Sequence, residues 1–168
     1  MYRNLKPAIM NKTMLTIGPT EPVDFPEFQL VAVPARVDTG AKTSAIWASH
    51  VEEAGDVLRF TLFGETSNFY TGRIIETNRF KRLKIISSNG TKEARYKVIL
   101  VLLLHGRKIR ASFTLANRSA QTYPVLIGRN VLRGKFLVDV KQNQKILEAK
   151  GLREKVVRAE SRPAKGEA

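Results

Sequence analysis

Eight short apolar or alternating runs, separated by turn signals, constrain what this 168-residue chain can become. They are Phe28–Arg36, Val57–Leu62, Phe69–Glu76 (interrupted by Gly72), Leu83–Ile86, Tyr96–Leu104, Lys108–Leu115, Tyr123–Ile127 and Phe136–Val140. Each has the length and the β-branched or aromatic content of a strand. Asn89-Gly90 lies between the fourth and fifth, and both residues tolerate the positive φ that a tight hairpin needs. A single helical turn is expected at Asn130–Arg133. Many short strands and almost no helix predict a small β-barrel or sandwich. The length suits one domain, since about 100–200 residues is usual for one. The core needs no disulfide, and with no cysteine in the chain none can form.

Two segments carry chemistry. Phe28–Arg36 runs into Asp38-Thr39-Gly40-Ala41-Lys42-Thr43, and Asp-Thr-Gly after an apolar strand is the signature of aspartic proteases. The residue types fit that chemistry. Two adjacent carboxylates cannot both ionise, so they share one proton. The charged one activates a water while the protonated one donates to the scissile carbonyl. A hydroxyl such as that of Thr39 can steady the loop, and Gly40 lets the backbone turn tightly. Taken alone the tripeptide is a weak signal and reads more readily as a turn. The second segment, Tyr123–Leu132, alters that balance. Its Gly128-Arg129-Asn130 follows an apolar strand and lies 90 residues beyond Asp38. In order and separation the pair resembles the two signatures of retropepsins.

A wider set of residues narrows the resemblance. Asp38 to Ala45, Ile86 to Gly90 with Glu93 and Arg95, Leu115 to Arg118, and Leu126–Asn130 through Gly134–Asp139 are similar to a bacterial and archaeal family of retropepsin-like domains. Thr16-Ile17-Gly18 and Phe25–Phe28 fit as well. The family is associated with RimK-type glutamate ligases (RimB-like) and often labelled an "ATP-dependent zinc protease". The likeness covers about residues 14–140. It implies a mainly β fold, a small closed retropepsin-like barrel (acid protease fold) with one short helix after Gly-Arg-Asn. It implies Asp38, Thr39 and Gly40 as catalytic, and Ala41, Lys42, Thr43 and a flap tip at Ser87-Ser88-Asn89-Gly90 as substrate-binding. Gly128, Arg129 and Asn130 form the structural signature. Neither zinc nor ATP is expected: there is no His-Glu-x-x-His, no cysteine and no phosphate-binding glycine loop. Trp47 stands where family members often have His.

Only Asp38, among four aspartates (Asp24, Asp38, Asp56 and Asp139), sits in Asp-Thr-Gly. A carboxylate pair therefore calls for a homodimer with Asp38 at its two-fold axis. In retroviral proteases the residue at the position of Lys42 is commonly Asp and pairs with the signature arginine. Here Arg129 needs a different partner.

Charge bears on the partner. The formal net charge is +14. Residues 141–168 contribute eight Lys or Arg against four Glu, and residues 73–97 eight against two. Such an excess suits an acidic polypeptide or nucleic acid. The position of Lys42 and the ligase association favour the former, with a glutamate-tailed ribosomal protein as the substrate implied by resemblance. The alternative is a non-catalytic basic β-barrel module that binds RNA, the ribosome or acidic peptides. The expected layout is a flexible arm at 1–13, the β domain at 14–147 and a basic disordered tail at 148–168. Lys145–Arg158 reads as either strand or helix. The longest apolar run, Val98–Leu104, is too short to span a bilayer, and no signal-peptide core is seen. No membrane partner and a cytoplasmic location are expected. His50, His105 and Asp139 are read as structurally ordinary.

Overall fold

The computed structural model describes residues 13–86 and 92–142. Eleven strands occur in it: β1 (Leu15–Ile17), β2 (Thr20–Phe25), β3 (Leu30–Val37), β4 (Ser44–Ala54), β5 (Val57–Leu62), β6 (Ile74–Thr77), β7 (Phe80–Ile86), β8 (Lys92–Leu104), β9 (Arg107–Ala116), β10 (Val125–Ile127) and β11 (Phe136–Val138). A 3-10 turn at Pro26–Phe28 and one short helix, α1 (Arg129–Leu132), complete the elements. Six strands close on themselves in the order β10, β3, β2, β8, β9, β4 and back to β10. The fold is thus mainly β, a closed retropepsin-like barrel with one short helix after Gly-Arg-Asn, as the sequence leads one to expect. β5 and β6 extend the sheet beyond β4, β7 pairs with β8, and β1 lies parallel to β11 in a separate ribbon.

Strand alternation explains the closure. Val33, Ala35 and Val37 on β3, Val98, Leu100 and Leu102 on β8, and Ile109, Ala111 and Phe113 on β9 all point inward and are buried. Phe25 meets Phe113 edge-on, with centroids 5.8 Å apart. Each large apolar side chain so buried contributes about 1.5–3 kcal/mol. Closing the ring leaves its six strands without open edges.

The structure adds three things and revises one. β1 and β2 precede the first expected strand. β4 is eleven residues long and emerges directly from the Asp-Thr-Gly segment. A shift of register between β2 and β3 is held by Asp24, whose Oδ1 accepts the N–H of Ala32 at 2.7 Å, where φ is +54°. The revision concerns Phe69–Gly72, which is not strand: only Ile74–Thr77 pairs, while Phe69 packs on buried Phe63 at 5.8 Å. The first twelve residues of the expected arm, the tail at 148–168, Lys145–Arg158 and the Ser87–Gly90 tip lie outside the described residues.

Candidate active site

The Asp38 loop and the Gly128 segment are built against each other. β10 is inserted between β3, to which it runs parallel, and β4, to which it runs antiparallel, with Ile127 opposite Val37 and Leu126 opposite Ala45. The ladder continues one residue past β3, where the Asp38 N–H donates to the Ile127 carbonyl at 2.9 Å. Gly128 then passes so close to the loop that a Cβ there would lie 2.8 Å from Thr43 C and 2.9 Å from Ala41 O. No side chain fits that crossing.

Hydrogen bonds lock the two segments together. The Gly128 N–H donates to Ser44 Oγ at 3.0 Å. The N–H and hydroxyl of Ser44 both donate to Asn130 Oδ1 at 2.9 Å, and Asn130 Nδ2 donates to the Ser112 carbonyl at 2.8 Å. Asn130 therefore ties β4, β9 and α1 through one amide. Arg129 finds its partners in the main chain. Its N–H donates to Ala41 O at 2.8 Å, and its Nη1 donates to Thr39 O at 3.2 Å and Gly40 O at 2.9 Å. With Lys42 in place of an acidic residue, carbonyl oxygens of the loop satisfy the guanidinium.

Asp38 is half-buried at the centre of this frame. Its Oδ1 accepts the N–H groups of Gly40 at 2.8 Å and Ala41 at 3.0 Å. Two donors on one oxygen fix the carboxylate plane, and Gly40 has no Cβ to crowd that oxygen. Thr39 and Lys42 are exposed and Thr43 is half-buried. Thr39 and Arg129 border an apolar recess of about 430 Å³ whose other walls include Leu132, Phe136, Leu137 and Val138. The remaining aspartates stand elsewhere: Asp24 holds Ala32, Asp139 Oδ1 accepts the Lys141 N–H at 2.9 Å, and Asp56 sits in the β4–β5 turn.

The β7–β8 hairpin carries the second charged group of residues. Arg82 and Tyr96 face each other in register, and both engage Glu53 on β4. The Tyr96 hydroxyl, and then the Arg82 guanidinium, hold the Glu53 carboxyl below the usual glutamate range. The same carboxylate raises the Tyr96 phenol, with burial adding to it. Arg73 donates to the Glu27 carbonyl at 3.0 Å and lies over the Phe28 ring. Part of the hairpin-side positive charge is thus already engaged within the molecule.

His105, read as ordinary, has a definite role. Nε2 of His105 lies 2.8 Å from Oε2 of Glu21, a carboxylate with 1% exposure whose other oxygen accepts the Gly18 N–H. The partners are 84 residues apart, so no local signal announces them. Trp47 is buried against Gly64, where a Cβ would lie 2.7 Å from the indole.

Comparison with known proteins extends the geometry. The profile of RimB-like proteins, described as retropepsin-like aspartic endopeptidase RimB, matches residues 16–149. The chain belongs to this family. A protein of Shewanella pealeana named probable alpha-L-glutamate ligase is 34% identical over 77% of this chain and 29% of its own length. One of the same name from Desulfotalea psychrophila is 28% identical over 73% of this chain and 27% of its own. The chain thus spans less than a third of these curated relatives. A solved structure of a Legionella pneumophila protein of unknown function has a TM-score of 0.61 and 25% identity, covering 77% of this chain and 95% of that one. Among the described residues no helix is long and apolar enough to cross a membrane.

Proposed function

We propose that the protein is an aspartic endopeptidase that acts as a cytoplasmic homodimer on acidic, glutamate-tailed polypeptides. The observation that carries this reading is the Asp38 carboxylate, fixed by the Gly40 and Ala41 N–H groups at the crossing of β3 and β10. In the proposed reaction one Asp38 is ionised and its mate is protonated. The ionised carboxylate takes a proton from water as the oxygen attacks the scissile carbonyl, and the mate donates its proton to the carbonyl oxygen. Collapse of the tetrahedral intermediate breaks the C–N bond as a proton passes to the leaving amine.

The second Asp38 comes from a second copy. The other three aspartates are committed to different parts of the fold, and the recess beside Thr39 carries Leu137, which is 53% exposed. β11 pairs only with β1 among the described residues, so its other edge is open. A two-fold axis beside Thr39 would bring both carboxylates together and cover that apolar edge.

The substrate class rests on charge and on the relatives. A chain that matches part of proteins named probable alpha-L-glutamate ligase fits a hydrolase acting on the same kind of tail. Incubating wild type and Asp38→Ala with a glutamate-tailed protein, followed by intact mass measurement, tests the proposal. Loss of mass in whole multiples of a glutamate residue with wild type only is expected, and equal loss with both proteins would exclude Asp38 chemistry.

A further inference from the structure

β3 delivers more than Asp38 to the site. Its side chains alternate: Val33, Ala35 and Val37 enter the core, whereas Arg36 is exposed and Asp38 half-buried on the opposite face. The Asp38 N–H to Ile127 bond shows that the ladder reaches this position, one residue past the end of β3. Residues i and i+2 of a strand share a face and lie about 6.5–7 Å apart. Arg36 is therefore the neighbour of the Asp38 carboxylate on the outer face of β3. Its cross-strand partners are Leu126 on β10 and the buried Thr20 on β2. Neither is acidic, so no directly opposed carboxylate neutralises the guanidinium. Arg129, the other arginine at the crossing, directs its Nη1 to the Thr39 and Gly40 carbonyls.

We infer that Arg36 is a specificity residue of the site and receives a carboxylate side chain of the substrate beside the scissile bond. This rests on the peptidase reading above and extends it to the chemistry of one subsite. A chain laid over Asp38 to bring a carbonyl to that carboxylate passes over the same face of β3. Its neighbouring side chain then comes within reach of a long, exposed guanidinium. The planar fork of arginine binds a carboxylate through two parallel hydrogen bonds, which lysine cannot reproduce. Arg36 also offsets the repulsion that an anionic chain would meet on approaching Asp38. Lys42, exposed in the same loop, adds a less directional charge.

The test compares two peptides of the same sequence, with Glu or Gln flanking the cleaved bond, on wild type, Arg36→Gln and Arg36→Lys. Wild type is expected to favour the Glu peptide in kcat/KM by about tenfold or more, the scale of a charge-assisted hydrogen bond exchanged for a neutral one. Arg36→Gln should lose that preference while still cleaving the Gln peptide, and Arg36→Lys should keep part of it. An unchanged preference in Arg36→Gln, or an equal loss on both peptides, overturns the inference. If wild type cleaves neither peptide the peptidase reading fails first, and binding decides separately. Calorimetric titration of oligo-glutamate into Asp38→Asn and into Asp38→Asn/Arg36→Gln should then show binding weaker by a similar factor in the double variant. Equal binding, or none by either protein, overturns the role of Arg36.

Discussion

The two ends of β4 are held in different ways. At its start, Ser44 is fully buried and joined to Gly128 and Asn130 by short, uncharged hydrogen bonds, within a crossing that has room only for glycine. Near its end, Glu53 meets Arg82 and Tyr96 at the surface, and Arg59 on β5 meets Glu76 on β6 at 2.7 Å with both side chains more than half exposed. Buried, directional bonds leave a large penalty when one partner is lost. Exposed ion pairs are worth about 0–1 kcal/mol and fade with salt. The contrast puts rigidity where a carboxylate has to be aimed and weak, adjustable ties at the root of the hairpin.

Substitutions should separate the two ends in a graded series. Gly128→Ala should have the largest effect, because its Cβ meets main chain rather than a movable side chain. A loss of about 3 kcal/mol or more in urea unfolding is expected, with little folded protein recovered. Asn130→Ala comes next. It strands the Ser44 donors and the Ser112 carbonyl, for about 2–4 kcal/mol by the same measurement. Arg129→Met should cost less, about 1 kcal/mol, because the guanidinium is exposed, yet it should reduce turnover by loosening the Thr39 and Gly40 carbonyls.

Glu53→Gln should have the smallest effect, and high salt should reduce it by screening the Arg82 part of the tie. Its sign with pH follows from the lowered Glu53 pKa. The tie is present above the usual glutamate range and is lost as pH falls through the depressed value. Thermal midpoints of wild type and Glu53→Gln should therefore differ at neutral pH and converge in acid. Convergence at neutral pH, or a gap that molar salt does not reduce at all, would show that the Arg82 charge contributes nothing to the hairpin root.

The barrel was legible from alternation because its inward faces are continuous in β8 and β9. β4 was hidden for a physical reason. Its first residues read as motif, and a register shift between Ser49 and Glu52, with His50 at φ +50°, breaks the alternation where the strand turns polar. Pro22, which faces Pro34 across the ladder, concealed β2 in the same way. Phe69 and Tyr70 look like strand residues but pack on the core outside the ladder, Phe69 against Phe63. At the site, Asp38 and Gly128 were visible as motifs, but the partners of Arg129 were not, because carbonyl oxygens carry no residue identity. The proposed role of Arg36 has a sequence signal of its own: it stands two residues before the aspartate on an alternating strand.

The central claim is that catalysis needs Asp38 from two chains. Mixing wild type with Asp38→Asn at constant total protein, after dissociation and reassembly, tests it directly. If each active unit needs two intact copies, cleavage should fall as the square of the wild-type fraction, to about a quarter at equal mixing. A linear fall, to about half, would mean that one chain suffices and would contradict the shared carboxylate pair.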